Sequence, residues 1–351
     1  MTRNLSAPDT NRSYAIAADW LELLALSRPS GVSSSQDLNE AADILFDPAS
    51  EDLAASAYDD LDILNVETEA AIDAVFNEIG FRVDCLGENY PFDVTFSDRR
   101  LRMERVKAAK DQSIVMSHNI YTTCLLMSCV RFGLLDARGA GVPEDPHIGN
   151  HFQLLATAAA AGYIGGDAYL FGHPRSDDTS MLEAVRKLSE LVRAGVPVQS
   201  RPSGVSKSAK DGGIDIVAWR DHVDSRPSKS IMFGQCASGK NWPGKSVEGY
   251  VKELRHYFGR FISEHWLPAI FVPFQIYAEK ENAHVLLSES DREAYYLTKE
   301  SSMGVIIDRV RLVHWASAGW NQLPASASEA LAGVADVWAW RDQALAAASA
   351  A

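Results

Sequence analysis

Two short runs in the second half of the chain, IDIVAWR (214–220) and SIMFGQCA (230–237), most restrict what this sequence can become. The first is rich in β-branched residues, and both are apolar at successive rather than alternating positions. Strands covered on both faces have this pattern, so other elements must pack above and below them. The surrounding sequence supplies those elements. HFQLLATAAAAGYIG and DTSMLEAVRKLSELVRAG read as helices before the pair, the second ending at Gly195. SVEGYVKELRHYFGRFISEHW reads as one amphipathic helix after it, with Val247, Tyr250, Val251, Leu254, Tyr257, Phe258 and Phe261 on one face. LPAIFVPFQIY and MGVIIDRVRLVHW read as further strands. The expectation is an α/β domain with a mixed sheet flanked by helices.

The first 135 residues differ. DWLELLALS, DLNEAADILF, ETEAAIDAVFNEIGF and SIVMSHNIYTTCLLMSCVRFGLL repeat apolar residues at three- and four-residue spacing, so residues 1–135 read as a mostly helical domain. Asp37 and Glu40 are expected to cap the helix that contains ADILF. Residues 136–147, rich in Gly and Pro, are the expected linker to a second domain over 148–351.

Charge divides along the same line. Residues 1–100 carry 6 Lys and Arg against 20 Asp and Glu, whereas residues 201–260 carry 11 against 6. The overall charge of −14 therefore hides one basic region, and phosphates respond to the local field. No run of 18 apolar residues occurs, so no membrane span is expected. The start lacks the apolar core of a signal peptide, and the four cysteines have neither disulfide-framework nor zinc-site spacing. A reduced, cytoplasmic protein is the expectation.

The basic region contains GQCASGKNWPGKS, whose residues 239–246 match the Walker A pattern of a P-loop NTPase. A strand precedes this match and a helix follows it, and VIID (305–308) resembles a Walker B segment. Against it, Trp242-Pro243 puts a bulky ring and a residue without an N–H where amides are needed. Only 105 residues follow Ser246.

KDGGIDIVAWR followed by GQCA on the next strand resembles the signature of the PD-(D/E)XK superfamily of restriction-endonuclease-like nucleases, in particular its Mrr-like branch. The resemblance covers roughly residues 148–245. It implies a restriction-endonuclease-like mixed sheet and a DNA endonuclease using Mg2+ or Mn2+, of a kind that serves prokaryotic restriction or anti-phage defence. It makes Asp215 the metal ligand and Gln235 the second active-site position. A carboxylate at a strand end suits a hard cation that keeps waters and phosphate oxygens as further ligands. The sequence departs from the family at Ala237, where the motif has lysine. Lys240 is the nearest replacement, with Lys210 weaker; Gln153 stands where the family often has a helix Glu, and Glu183 and Asp211 are further candidates. Lys245, Arg255 and Trp242 are candidate nucleic-acid contacts. A dimer is expected, since cutting two strands benefits from two sites, and the acidic helical domain is the candidate surface for a defence-system partner protein. Ala237 and Gln153 keep open a second reading, a catalytically inactive nucleic-acid-binding or scaffold protein on the same fold.

Overall fold

The computed structural model describes residues 5–8, 13–45, 57–97, 100–106, 111–144, 147–172, 175, 179–203, 213–224, 226, 228–239, 241–276, 289–320 and 333–350. They form a mixed α/β structure in two compact units. One holds residues 1–143 with 275–294 and 340–351; the other holds 144–274 with 295–339. The change of unit at 143/144 falls inside the segment expected to be a linker, while two later segments group with the first unit instead of with residues 148–351.

In the first unit the helices are α1 (Tyr14–Ser27), α2 (Ser35–Leu45), α3 (Ala57–Leu86) and α4 (Gln112–Phe132). Three strands absent from the helical expectation accompany them: β1 (Val32–Ser34), β2 (Phe92–Ser97) and β3 (Arg100–Arg105), an antiparallel sheet in the order β1-β3-β2. Ser13 opens α1 by accepting from the Ile16 amide. Asp37 lies inside α2 rather than before it, accepting from the Ser34 amide and pairing with Arg28.

The interior of this unit is charged. Arg82 of α3 is fully buried and donates to Asp19 and Glu22 of α1 at 2.8 and 2.7 Å and to Glu78 at 2.9 Å. Tyr90, and Tyr121 of α4, donate to Glu22 at 2.6 and 2.7 Å, and Ser128 of α4 donates to Asp19 at 2.6 Å. Burial alone would lower the Arg82 pKa; Glu22, Tyr121, Asp19 and Glu78 outweigh it and hold the guanidinium charged. Burial, then the charge of Glu22, pushes the Tyr90 phenol well up, so it stays a donor. By length and composition α4 could cross a membrane, a feature the search for uninterrupted apolar runs passed over. Its middle is buried and bonded into this network, so it is the unit's core helix.

The second unit is built on a five-stranded sheet. Its strands are β4 (Asp167–Leu170), β6 (Ile216–Arg220), β7 (Ser230–Cys236), β9 (Leu267–Phe271) and β10 (Val305–Ile307), with a small separate pair of β5 (Val196–Pro197) and β8 (Phe258–Arg260). The order is β10-β9-β7-β6-β4; β4, β6 and β7 run antiparallel, and β7, β9 and β10 run parallel. The helices are α5 (His147–Ile164), α6 (Met181–Val192), α7 (Val247–Arg255), α8 (Glu289–Met303), which enters this unit at Tyr295, α9 (Arg309–Trp320) and α10 (Val334–Ser349), which leaves it after Ala339. Val217, Trp219, Ile231 and Phe233 form one core with α6 and α7. The alternating residues Ile216, Ala218 and Met232 are also buried and point to the opposite face, so both faces of the sheet are covered, as its two apolar runs demand.

Three expectations change here. The amphipathic helix ends at Arg255, because Phe258–Arg260 pairs as a strand with Val196–Pro197; Tyr257, Phe258 and Phe261 still join the expected core. MGVIIDRVRLVHW holds only a three-residue strand before turning into α9. The edge strand DAYL (167–170), only four residues long, is too short to announce itself.

Helices α5 and α9 touch backbone to backbone. A Cβ on Gly162 would lie 2.0 Å from the Trp315 carbonyl oxygen, and one on Gly319 would lie 2.0 Å from that of Ala158. Helix propensity alone favours Ala over Gly by about 1 kcal/mol. We expect the reverse: Gly162→Ala and Gly319→Ala should each lose roughly 1–3 kcal/mol to overpacking in urea unfolding. Removing the interior cation with Arg82→Ala should lose about 3–5 kcal/mol by the same measurement, because the carboxylates are left buried without it.

Candidate active site

The site forms where β6 begins and β7 ends. Gly213, at φ +83°, turns the chain into β6 with its Cα against Tyr250, where a Cβ would come within 2.3 Å of the ring. Two residues later comes Asp215, whose main chain ties neighbouring segments together. Its N–H donates to the Gly234 carbonyl at 2.9 Å, and its carbonyl accepts from Phe171 and Gly172, both at 2.8 Å. The side chain is buried. Its Oδ1 accepts from Gln153 Nε2 of α5 at 3.1 Å, and its Oδ2 accepts from the backbone N–H of Cys236 at 2.7 Å. Two donors on two different oxygens fix the plane of the carboxylate.

The β6–β7 register sets Ile216 opposite Gly234, so Asp215 and Gln235 occupy adjoining positions on neighbouring strands. Gln235 is buried and its Oε1 has no hydrogen-bond partner among the described residues, a burial that normally costs about 1–3 kcal/mol. Burial, then the charge of Asp215, pushes the Cys236 thiol well up, so this cysteine is protonated and no thiolate nucleophile. Ala237 is buried and continues the pairing past the strand end, its N–H donating to Phe271 at 2.9 Å.

Gly172 belongs to the same cluster. A Cβ there would lie 2.8 Å from Gln153 Oε1 and 2.9 Å from Asp215 Oδ1, so the glycine leaves room for the Gln153–Asp215 pair. The sequence offered no signal for this residue, since the strand before it was not recognised. The backbone role of Cys236 was equally silent, because any residue supplies an N–H.

Other candidates are engaged elsewhere. Glu183 closes a capping box at the start of α6, accepting from Ser180 N at 2.8 Å while Ser180 Oγ accepts from Glu183 N. Trp242 is buried against Phe274 and Tyr295, which makes it a packing residue and not an open base platform. Arg255 pairs with both oxygens of Glu264 at 2.9 and 2.7 Å and lies over Phe261. Lys245 is half-buried at the foot of α7. Lys210, Asp211 and Lys240 lie outside the described residues.

Among the described residues the basic region does not form one patch. Arg220, Arg226 and Lys229 sit at the hairpin end of β6 and β7, about 15 Å of strand from Asp215 at ~3.3 Å per residue. Lys229 is buried and paired with Asp221 at 2.5 Å, and Arg193 pairs with the same carboxylate. Burial pushes Asp221 up, but donation from Lys229 and Arg193 outweighs it and holds the carboxyl below its ordinary value.

The Walker-like loop spends its amides on itself. Trp242 N donates to Gly239 O, Gly244 N to Asn241 O and Lys245 N to Trp242 O, while Pro243 has none to give. Asp308, the Walker B-like residue, caps α9 by accepting from Arg311 N at 3.2 Å and is bonded by the Tyr296 hydroxyl. Among the described residues these groups are engaged in local structural bonds.

Gly172→Ala should displace the flexible Gln153 carboxamide from Asp215 at a stability cost of about 1 kcal/mol, much less than a backbone clash would impose. The side-chain amide resonances of Gln153 should move toward solvent-like shifts, while the melting temperature changes by only a few degrees. Unchanged Gln153 resonances would refute the assignment.

In comparisons with known proteins, the chain matches no protein-family model, no curated protein and no solved structure.

Proposed function

We propose that the second unit is a metal-dependent phosphodiesterase acting on DNA, of the restriction-endonuclease-like kind that its DGGID and GQCA strands resemble. The observation that carries this reading is the Asp215 carboxylate, buried at a strand end and oriented by Gln153 and by the Cys236 amide. A mixed sheet with both faces covered and the two signature segments on adjacent antiparallel strands supports it.

The residues fit a hard divalent ion such as Mg2+ or Mn2+. The donors are oxygens: the Asp215 carboxylate, Gln153 Oε1 lining the gap that Gly172 leaves, and Gln235 Oε1, buried without a partner among the described residues. When bound, such an ion lowers the pKa of water and offsets charge on the phosphate. The chain's part is to hold that ion and keep its ligands still. The Cys236 N–H pins Oδ2, and Gln153, which donates to Oδ1, can turn its carboxamide to present either end to what Asp215 holds. Lys240 is the candidate ammonium for orienting the attacking water and stabilising the phosphorane charge.

One observation favours a second reading. Ala237 is buried where the family motif has its lysine, and Gln153 and Gln235 bring no charge. A binding protein without catalysis would need neither.

Plasmid DNA incubated with Mg2+, Mn2+ or EDTA separates the two. Cleavage should require the metal and fall at least about a hundredfold in Asp215→Ala, the loss typical for a main electrostatic stabiliser; Lys240→Ala should fall as well. Cleavage equal in Asp215→Ala defeats the site. Retained DNA binding without cleavage under any metal establishes the second reading.

A further inference from the structure

A second cluster of metal-binding chemistry lies at the other functional face of α5, and the reading above does not use it. His147 opens the helix and His151 follows one turn later, so the two imidazoles stand side by side on the helix surface. Their ring centroids are 6.2 Å apart with planes 39° from parallel. His147 is exposed and His151 half-buried, so the pair is open to solvent on one side. Asp336, in the first turn of α10, is exposed and belongs to the same unit.

We propose that His147 and His151 form a chelate for a borderline divalent transition-metal ion, of which Zn2+ is the representative, with Asp336 as an outer carboxylate. The donor type sets this site apart from Asp215: imidazole nitrogen suits zinc, nickel and copper, whereas carboxylate and carboxamide oxygens suit magnesium and manganese. A metal–nitrogen distance of about 2.0–2.1 Å puts each ring centroid roughly 3 Å from the ion. The observed separation is near the outer limit of that reach, and a small side-chain rotation closes it to tetrahedral geometry. Each imidazole spends one nitrogen on the metal, so the other keeps whatever hydrogen bond it makes. Among the described residues no third His, Cys, Asp or Glu completes an inner ligand set. Asp336 acts by accepting a hydrogen bond from a metal-bound water or from an imidazole N–H.

Rigidity makes two ligands worth more than their number. Both sit on a helix held by the backbone contacts at Gly162 and Gly319, so little freedom is lost when they close on an ion. Bound metal would also stabilise the second unit, since it binds the folded chain and not the unfolded one.

The test uses untagged, full-length, metal-stripped protein titrated calorimetrically with ZnCl2, with Co2+ absorption as a second readout. Wild type should bind one ion per chain with a dissociation constant of about 1 μM to 100 μM and melt at higher temperature with zinc than without it. His147→Ala and His151→Ala should each weaken binding more than tenfold, Asp336→Asn a few-fold, and Asp215→Ala not at all. His147 is exposed, so its variant should fold as wild type does, which keeps the test open if His151→Ala does not. Equal affinity in wild type and His147→Ala, binding only in the millimolar range, or loss of the zinc site in Asp215→Ala would each overturn the proposal.

Discussion

The second unit depends on how closely α5 approaches α9. At Gly162 and Gly319 the two backbones meet with no side chain between them, and Ala158, one turn before Gly162, lies on the same face. Such a contact fixes distance and also rotation, since turning either helix would bring a larger side chain into a space that has no room for a methyl group. With α5 fixed on one side by α9 and on the other by the sheet, the direction of every residue on it is set. Gln153 reaches Asp215 for that reason. Packing among small residues thus supplies the precision that polar chemistry uses.

Both units enclose charge and satisfy it by different means. In the first, one guanidinium serves three carboxylates, with tyrosine and serine hydroxyls as additional donors. That network joins α1, α3 and α4. In the second, the buried carboxylate of Asp215 is held by a carboxamide and a main-chain amide, both neutral. The first cluster fastens three helices together, whereas the second holds a single carboxylate at the end of a strand.

The sequence made the sheet legible where burial was complete. IDIVAWR and SIMFGQCA form the central strands β6 and β7, because two-sided covering leaves an unmistakable run of apolar residues. It failed where strands are short or at an edge. DAYL, the hairpin of β2 and β3, and the pair of Val196–Pro197 with Phe258–Arg260 are held by main-chain hydrogen bonds that leave little trace in composition. Asp215 and Gln153 could be proposed from their residue types and do meet. Gly172 could not, since its contribution is an absence of atoms, and Glu183 misled because a carboxylate in a helix's first turn is as useful to a cap as to a metal. The charge count misled in a similar way: Arg220, Arg226 and Lys229 are neighbours of Asp215 in sequence but stand at the opposite ends of the same strands.

The amide of Cys236 carries a further consequence. Asp215 is oriented by a main-chain group, so the identity of the side chain at position 236 is irrelevant to that duty, and only an imino acid would be unable to perform it. The centre of the signature is therefore governed by the path of β7 rather than by its spelling. A search for the working parts of such a site that compares letters alone will overlook the part supplied by the peptide bond itself.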